Sequence, residues 1–178
     1  MGDAPKETAL APAPADVVAL VLAITGSAWP ATDAALRQLH ARIGLRVPAP
    51  TVPVEADPWP AAVDIERVEL TLGDIFATSS RHRGEFLGLT LHLYSSMQPD
   101  NSLTRLGYDS ILDLLVNQFG AATDAWTNEA TPPRLWTVGT WQIALHFFHR
   151  RDSVVMLSVD DIRVSGRAEL DADPRPAG

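Results

Sequence analysis

Tyr108-Asp109-Ser110-Ile111-Leu112-Asp113-Leu114-Leu115-Val116-Asn117-Gln118-Phe119 places Tyr108, Ile111, Leu112, Leu115, Val116 and Phe119 at i, i+3, i+4, i+7, i+8 and i+11. That spacing makes one apolar stripe at helical period, and Gly120 follows where a left-handed cap residue is expected. Such a stripe must be buried against another element. The next residues supply one. Segments 135–138, 141–148 and 153–159 read as strands rich in large apolar side chains. Trp141, Ile143, Leu145 and Phe147 alternate with Gln142, Ala144, His146 and Phe148. Val155, Leu157 and Val159 alternate with Val154, Met156 and Ser158. Gly139-Thr140 fits the two central positions of a type II′ hairpin turn.

Working outward, residues 86–94 alternate Leu87, Leu89, Leu91 and Leu93 with Gly88, Thr90, His92 and Tyr94. Residues 66–72 set Val68, Leu70 and Leu72 against Arg67, Glu69 and Thr71. Both patterns predict half-buried antiparallel strands with the leucines inward. The polar stretch 73–85 between them is expected to be a loop. Near the start, Asp16 is expected to cap a short helix over 17–25, and Thr32 or Asp33 a second over 33–43 closed by Gly44. The second helix carries a stripe of Leu36, Leu39, His40 and Ile43. Five prolines at 48, 50, 53, 58 and 60 make residues 46–62 an extended connector with Trp59 as an expected anchor.

The reading is therefore one α+β domain over 15–164, in the order ααββαβββ. An antiparallel sheet of about five strands packs against the central helix and an N-terminal helical pair. Residues 1–14 and 165–178 are expected to be disordered tails.

Composition narrows the chemistry. The chain has 178 residues, 14 Lys and Arg against 22 Asp and Glu, and a formal net charge of -8. An acidic chain without a clustered basic face does not fit nucleic acid. There are no cysteines, so disulfides and thiolate sites are excluded. Residues 17–24 are too short for a membrane span and lack the basic flank of a signal peptide, so a cytoplasmic protein is expected.

No catalytic motif is complete. His146 and His149 have the H-x-x-H spacing, but on a strand they point to opposite faces and cannot share a metal. Asp160 and Asp161 are adjacent on a strand, so their carboxylates diverge too. No cofactor, metal or enzymatic activity is expected. The candidate partner-binding residues are Arg67, Glu69, His92 and Tyr94 on the outward face of the first two strands, with His82 in the polar loop. The alternative is a small-molecule or hydrolytic pocket between sheet and helices with His82, His92 and Glu85 at its mouth.

A resemblance adds to this. Ile24-Thr-Gly-Ser-Ala-Trp-Pro30 leads into a helix ending Arg42-Ile-Gly-Leu45. Leu114-Leu-Val-Asn-Gln-Phe-Gly120 is followed by Trp126, Leu135-Trp136 and Gly139-Thr140-Trp141. Over residues 16–160 this layout resembles a group of small uncharacterised actinobacterial proteins. It is also similar to immunity proteins of polymorphic toxins and to chaperone-like αβ modules for secreted effectors. The resemblance implies a protein partner, such as a basic toxin met by acidic complementarity, and leaves self-association open. It transfers no catalytic residue.

Overall fold

The computed structural model describes residues 10–48, 63–125 and 131–172. The connector 49–62 with Trp59, the loop residue Trp126 and the outer parts of both expected tails lie outside the described residues. The order is α1 (Pro14–Thr25), α2 (Asp33–Ile43), β1 (Val63–Val68), β2 (Phe76–His82), β3 (Glu85–Ser96) and α3 (Ser102–Phe119). There follow β4 (Thr123–Asp124), β5 (Arg134–Val138), β6 (Trp141–Phe148), β7 (Ser153–Asp161) and α4 (Ile162–Ala172). The class is α+β, with all seven strands in one antiparallel sheet ordered β1-β2-β3-β7-β6-β5-β4.

The central helix sits where its stripe requires. α3 packs on β7, β3 and β6 and alongside α1, which also touches α2. Its buried stripe is Thr104, Gly107, Tyr108, Ile111 and Leu115, narrower than the sequence implied, because Val116 stays exposed. The helix begins earlier than Tyr108. Asn101 accepts from the Thr104 backbone N–H and caps it at Ser102. Beneath it, Leu89, Leu91, Ile143, Leu145, Val155, Leu157 and Val159 are essentially inaccessible. Each such side chain contributes roughly 1.5–3 kcal/mol of burial.

The α1–α2 link is fixed by aromatic contacts. Trp29 stacks on Phe86 at 5.1 Å and meets Trp141 at 4.5 Å, and the Trp141 indole donates to the Ser27 carbonyl. Thr32 caps α2 and Gly44 closes it in the left-handed region, both as read from the sequence. The β5–β6 turn has Gly139 at φ 61 while Thr140 is not in the positive-φ region, as type II′ requires.

Four expectations are corrected. The polar stretch 73–85 is not all loop, since Phe76–His82 forms β2 between β1 and β3. Its helix-side residues are the small Ala77 and Ser79, both buried, so β2 shows no apolar alternation. The Arg83-Gly84 turn that follows has φ 49 and 81, the two positive values of a type I′ hairpin. The first strand runs over Val63–Val68 rather than 66–72, and Glu69, just past its end, forms an isolated bridge with Arg46. The short β4 raises the strand count from about five to seven.

The fourth correction concerns both tails. Residues 162–172 form α4, whose Val164 is fully buried. At the other end Pro14 opens α1, and the Pro12 carbonyl accepts from the Tyr94 hydroxyl.

Candidate functional site

Strand pairing sorts the sheet into two faces. One is the helix-covered core. On the other, Phe76, His92, Met156 and His146 lie opposite one another across β2, β3, β7 and β6. Beside this row runs a second, from Arg67 through Thr78, Thr90 and Ser158 to Ala144. The small Ser158 and Ala144 are buried between taller neighbours, so the second row is a trough.

Large apolar side chains stand open to solvent on this face. Ile65 is 53% exposed, Phe76 49% and Phe148 48%. They are organised rather than scattered. The Arg67 guanidinium lies 5.6 Å from the Phe76 ring centre, and His92 meets the same ring edge-on at 5.2 Å. His146 stacks on Phe148 at 5.5 Å with the planes 9° apart. Burial holds the His92 pKa below its ordinary value, so its ring is neutral at pH 7 and suited to apolar company.

The structure thus brings two of the five expected contact residues together, Arg67 and His92, with Phe76 between them. The other three go elsewhere. Glu69 pairs with Arg46 at 2.7 Å, beyond the end of β1. Tyr94 is buried on the helix side. A β-bulge between His92 and Tyr94 shifts the register by one residue, which turns the ring over. His82 shares the face of Phe76 but lies at its far end, buried, with Nε2 2.9 Å from Asp171 of α4.

Phe76, Met156, His146 and Phe148 are the members that the sequence reading did not select. The alternation of β6 and β7 already set three of them opposite the core residues. Phe76 had no such signal because β2 was not recognised.

By strand register Glu85 lies on this face opposite His82, and Asp160 lies opposite Gly88 and Gln142. Burial pushes the Asp160 carboxyl up to about 7, with a Ser158 hydrogen bond acting against the shift. Its neighbour Asp161 points the other way and accepts from the backbone N–H groups of Arg163 and Val164, capping α4. One aspartate is a helix cap and the other a buried acid, so they do not form a pair.

The pocket arrangement is not assembled in the expected form. His82 and Glu85 face each other at the β2–β3 hairpin. His92 lies seven residues further along β3, about 23 Å away at roughly 3.3 Å per residue. A cleft of about 660 Å³ does open between the end of α2 and β1, lined by His40, Gly44, Leu45, Arg67, Val68 and Ile75 among others. None of His82, Glu85 or His92 lines it. His146 and His149 separate as the strand geometry demands: His149 stacks on Phe147 and contacts the Thr131 hydroxyl at 2.9 Å. Among the described residues no three His, Cys, Asp or Glu side chains gather as a metal site. No helix there is long and apolar enough to cross a membrane.

The chain matches no known protein family model, no curated protein and no solved structure.

Proposed function

We propose that the chain is a non-enzymatic protein-binding module that docks a partner on the open sheet face. It fits an immunity or chaperone role toward a toxin or secreted protein. The observation that carries this reading is the exposed set Ile65, Phe76 and Phe148, braced by Arg67, His92 and His146. Exposed large aromatics in an ordered patch are typical of interface anchors. The trough along Thr90, Ser158 and Ala144 offers a concavity for a partner's ridge, and occlusion by the sheet would be the means of inhibition or protection.

The net charge of -8 acts at longer range, favouring approach of a basic protein while apolar contacts hold the complex. Salt then slows association more than it speeds dissociation. The test is affinity capture from the native host with the wild-type chain and with Phe76→Asp and Phe148→Asp. A stoichiometric partner retained by wild type and lost by both variants supports the reading. Equal retention by all three places the interface elsewhere.

A further inference from the structure

α4 lies over one end of the open sheet face, next to the docking patch. Three observations place it there. His82 shares the face of Thr78 and Ser80, and its ring meets Asp171 in the last turn of α4. Asp160, opposite Gly88 and Gln142 on that face, is partly accessible as a residue while its carboxyl is enclosed. Val164 of α4 is fully buried, yet it stands outside the core cluster between the sheet and α1–α3.

The helix is lightly attached. Val164 is its one buried side chain, and Leu170 is 77% exposed. At its start Asp161 caps it. At its end Arg167 pairs with Glu85, and Asp171 lies 2.8 Å from Arg83 and 2.9 Å from His82. Arg83, Arg167 and Glu85 are at least half exposed, so water and salt weaken their pairs. The His82–Asp171 approach is close but not in line with the ring N–H, and among the described residues neither buried ring nitrogen has a hydrogen bond. It attracts as an ion pair while the ring is protonated.

We infer that α4 is a displaceable cover: hinged at Asp161, it leaves the sheet as a unit and uncovers the row Ser80, Gly88, Asp160 and Gln142 beside the docking patch. The floor under the helix makes the motion sensitive to pH. The Asp160 carboxyl sits so close over Gly88 that a Cβ there would collide with Oδ1. Closed, it keeps its proton to about pH 7. Solvated, a carboxyl ionises near pH 4. Opening therefore releases a proton, and it becomes more favourable as pH rises between those values.

The charged groups facing this end are His82, Arg83 and Glu85 from β2, its turn and β3, with Arg163, Arg167 and Asp171 from α4. The Asp160 shift comes from burial first and Ser158 second, with no contribution from those charges. That opening enlarges the docking surface rests on the binding reading above; the opening itself does not.

Hydrogen–deuterium exchange on the free, full-length protein at pH 5 and pH 8 tests it, with rates corrected for intrinsic exchange. The α4 amides should exchange together and ahead of β3 and β7, and their opening equilibrium should rise at least tenfold at pH 8. Asp160→Asn should abolish that rise. Asp171→Asn, which leaves the floor intact, should speed exchange in α4 and leave β3 and β7 unchanged. α4 amides as protected as those of β7 at both pH values, in wild type and in Asp171→Asn, would overturn the inference. No partner is needed, so that outcome leaves the docking reading standing.

Discussion

The Tyr94 hydroxyl donates a 2.7 Å hydrogen bond to the Pro12 carbonyl, joining the end of β3 to the chain just ahead of α1 across 82 residues. The ring packs against α3 at Gly107, where an added Cβ would come within 2.4 Å of it. Burial also pushes the phenol up to about 12, so it stays a donor throughout the physiological range. One side chain thus fixes three elements, and it is available to do so because the bulge turned it away from the docking face.

Tyr94→Phe should cost about 1 kcal/mol in urea unfolding, the loss of one buried hydrogen bond. Gly107→Ala should cost more, about 1–3 kcal/mol from overpacking against the Tyr94 ring, despite the better helix propensity of alanine. A stabilised Gly107→Ala protein would mean that Tyr94 does not press on α3.

Phe76→Ser and Phe148→Ser should leave thermal stability almost unchanged, within about 0.5 kcal/mol, as expected for exposed positions. Their effect should appear in partner affinity, with a loss of tenfold or more by calorimetry once a partner is in hand. Tyr94→Phe is the contrasting control: stability falls while affinity holds.

Asp161→Ala should destabilise α4 by about 1–2 kcal/mol, because two backbone N–H groups lose their cap. Asp161→Asn should retain most of it. Far-UV circular dichroism with thermal melting distinguishes the two, and equal melting of both variants would count against the cap.

His40 and His92 should titrate below the ordinary histidine value in NMR spectra. Burial is the first cause for both, and for His40 the nearby Arg81 adds to it. A histidine depressed in the folded state contributes stability that is complete above its unfolded pKa near 6.5 and is lost as pH falls through the folded value. Asp160 acts in the opposite direction over the same range, since unfolding releases its proton. Judged by the unfolding midpoint, His40→Gln should therefore lose less stability, or gain more, than wild type on acidification from pH 7 to pH 5.

Much of the fold could be read along the chain because helices α1, α2 and α3 and strands β3, β5, β6 and β7 carry their own signals. Ile143, Leu145, Leu157 and Val159 repeat at period two, and Thr32, Gly44 and Gly139 mark ends and turns. β2 could not be read this way. Ala77 and Ser79 face the core as small side chains, and the strand is held by backbone pairing to two neighbours, which leaves no side-chain period. α4 was equally hidden, since it buries only Val164 and its capping aspartate looked like the end of a strand.

From the amino-acid sequence alone it follows that an antiparallel sheet must lie beneath a central amphipathic helix, and which residues of β6 and β7 share a face; both faces of those strands read as apolar, as if covered on both sides. Period and capping are local properties, set by neighbours a few residues away. Which outer residues meet depends instead on how the strands assemble. Strand order brought Phe76 of β2 next to His92 and, through β7, into line with His146. A one-residue bulge sent Tyr94 to the core, and the return of the chain as α4 made Asp161 a cap. These outcomes depend on long-range register, where a shift of one residue exchanges the two faces of a strand.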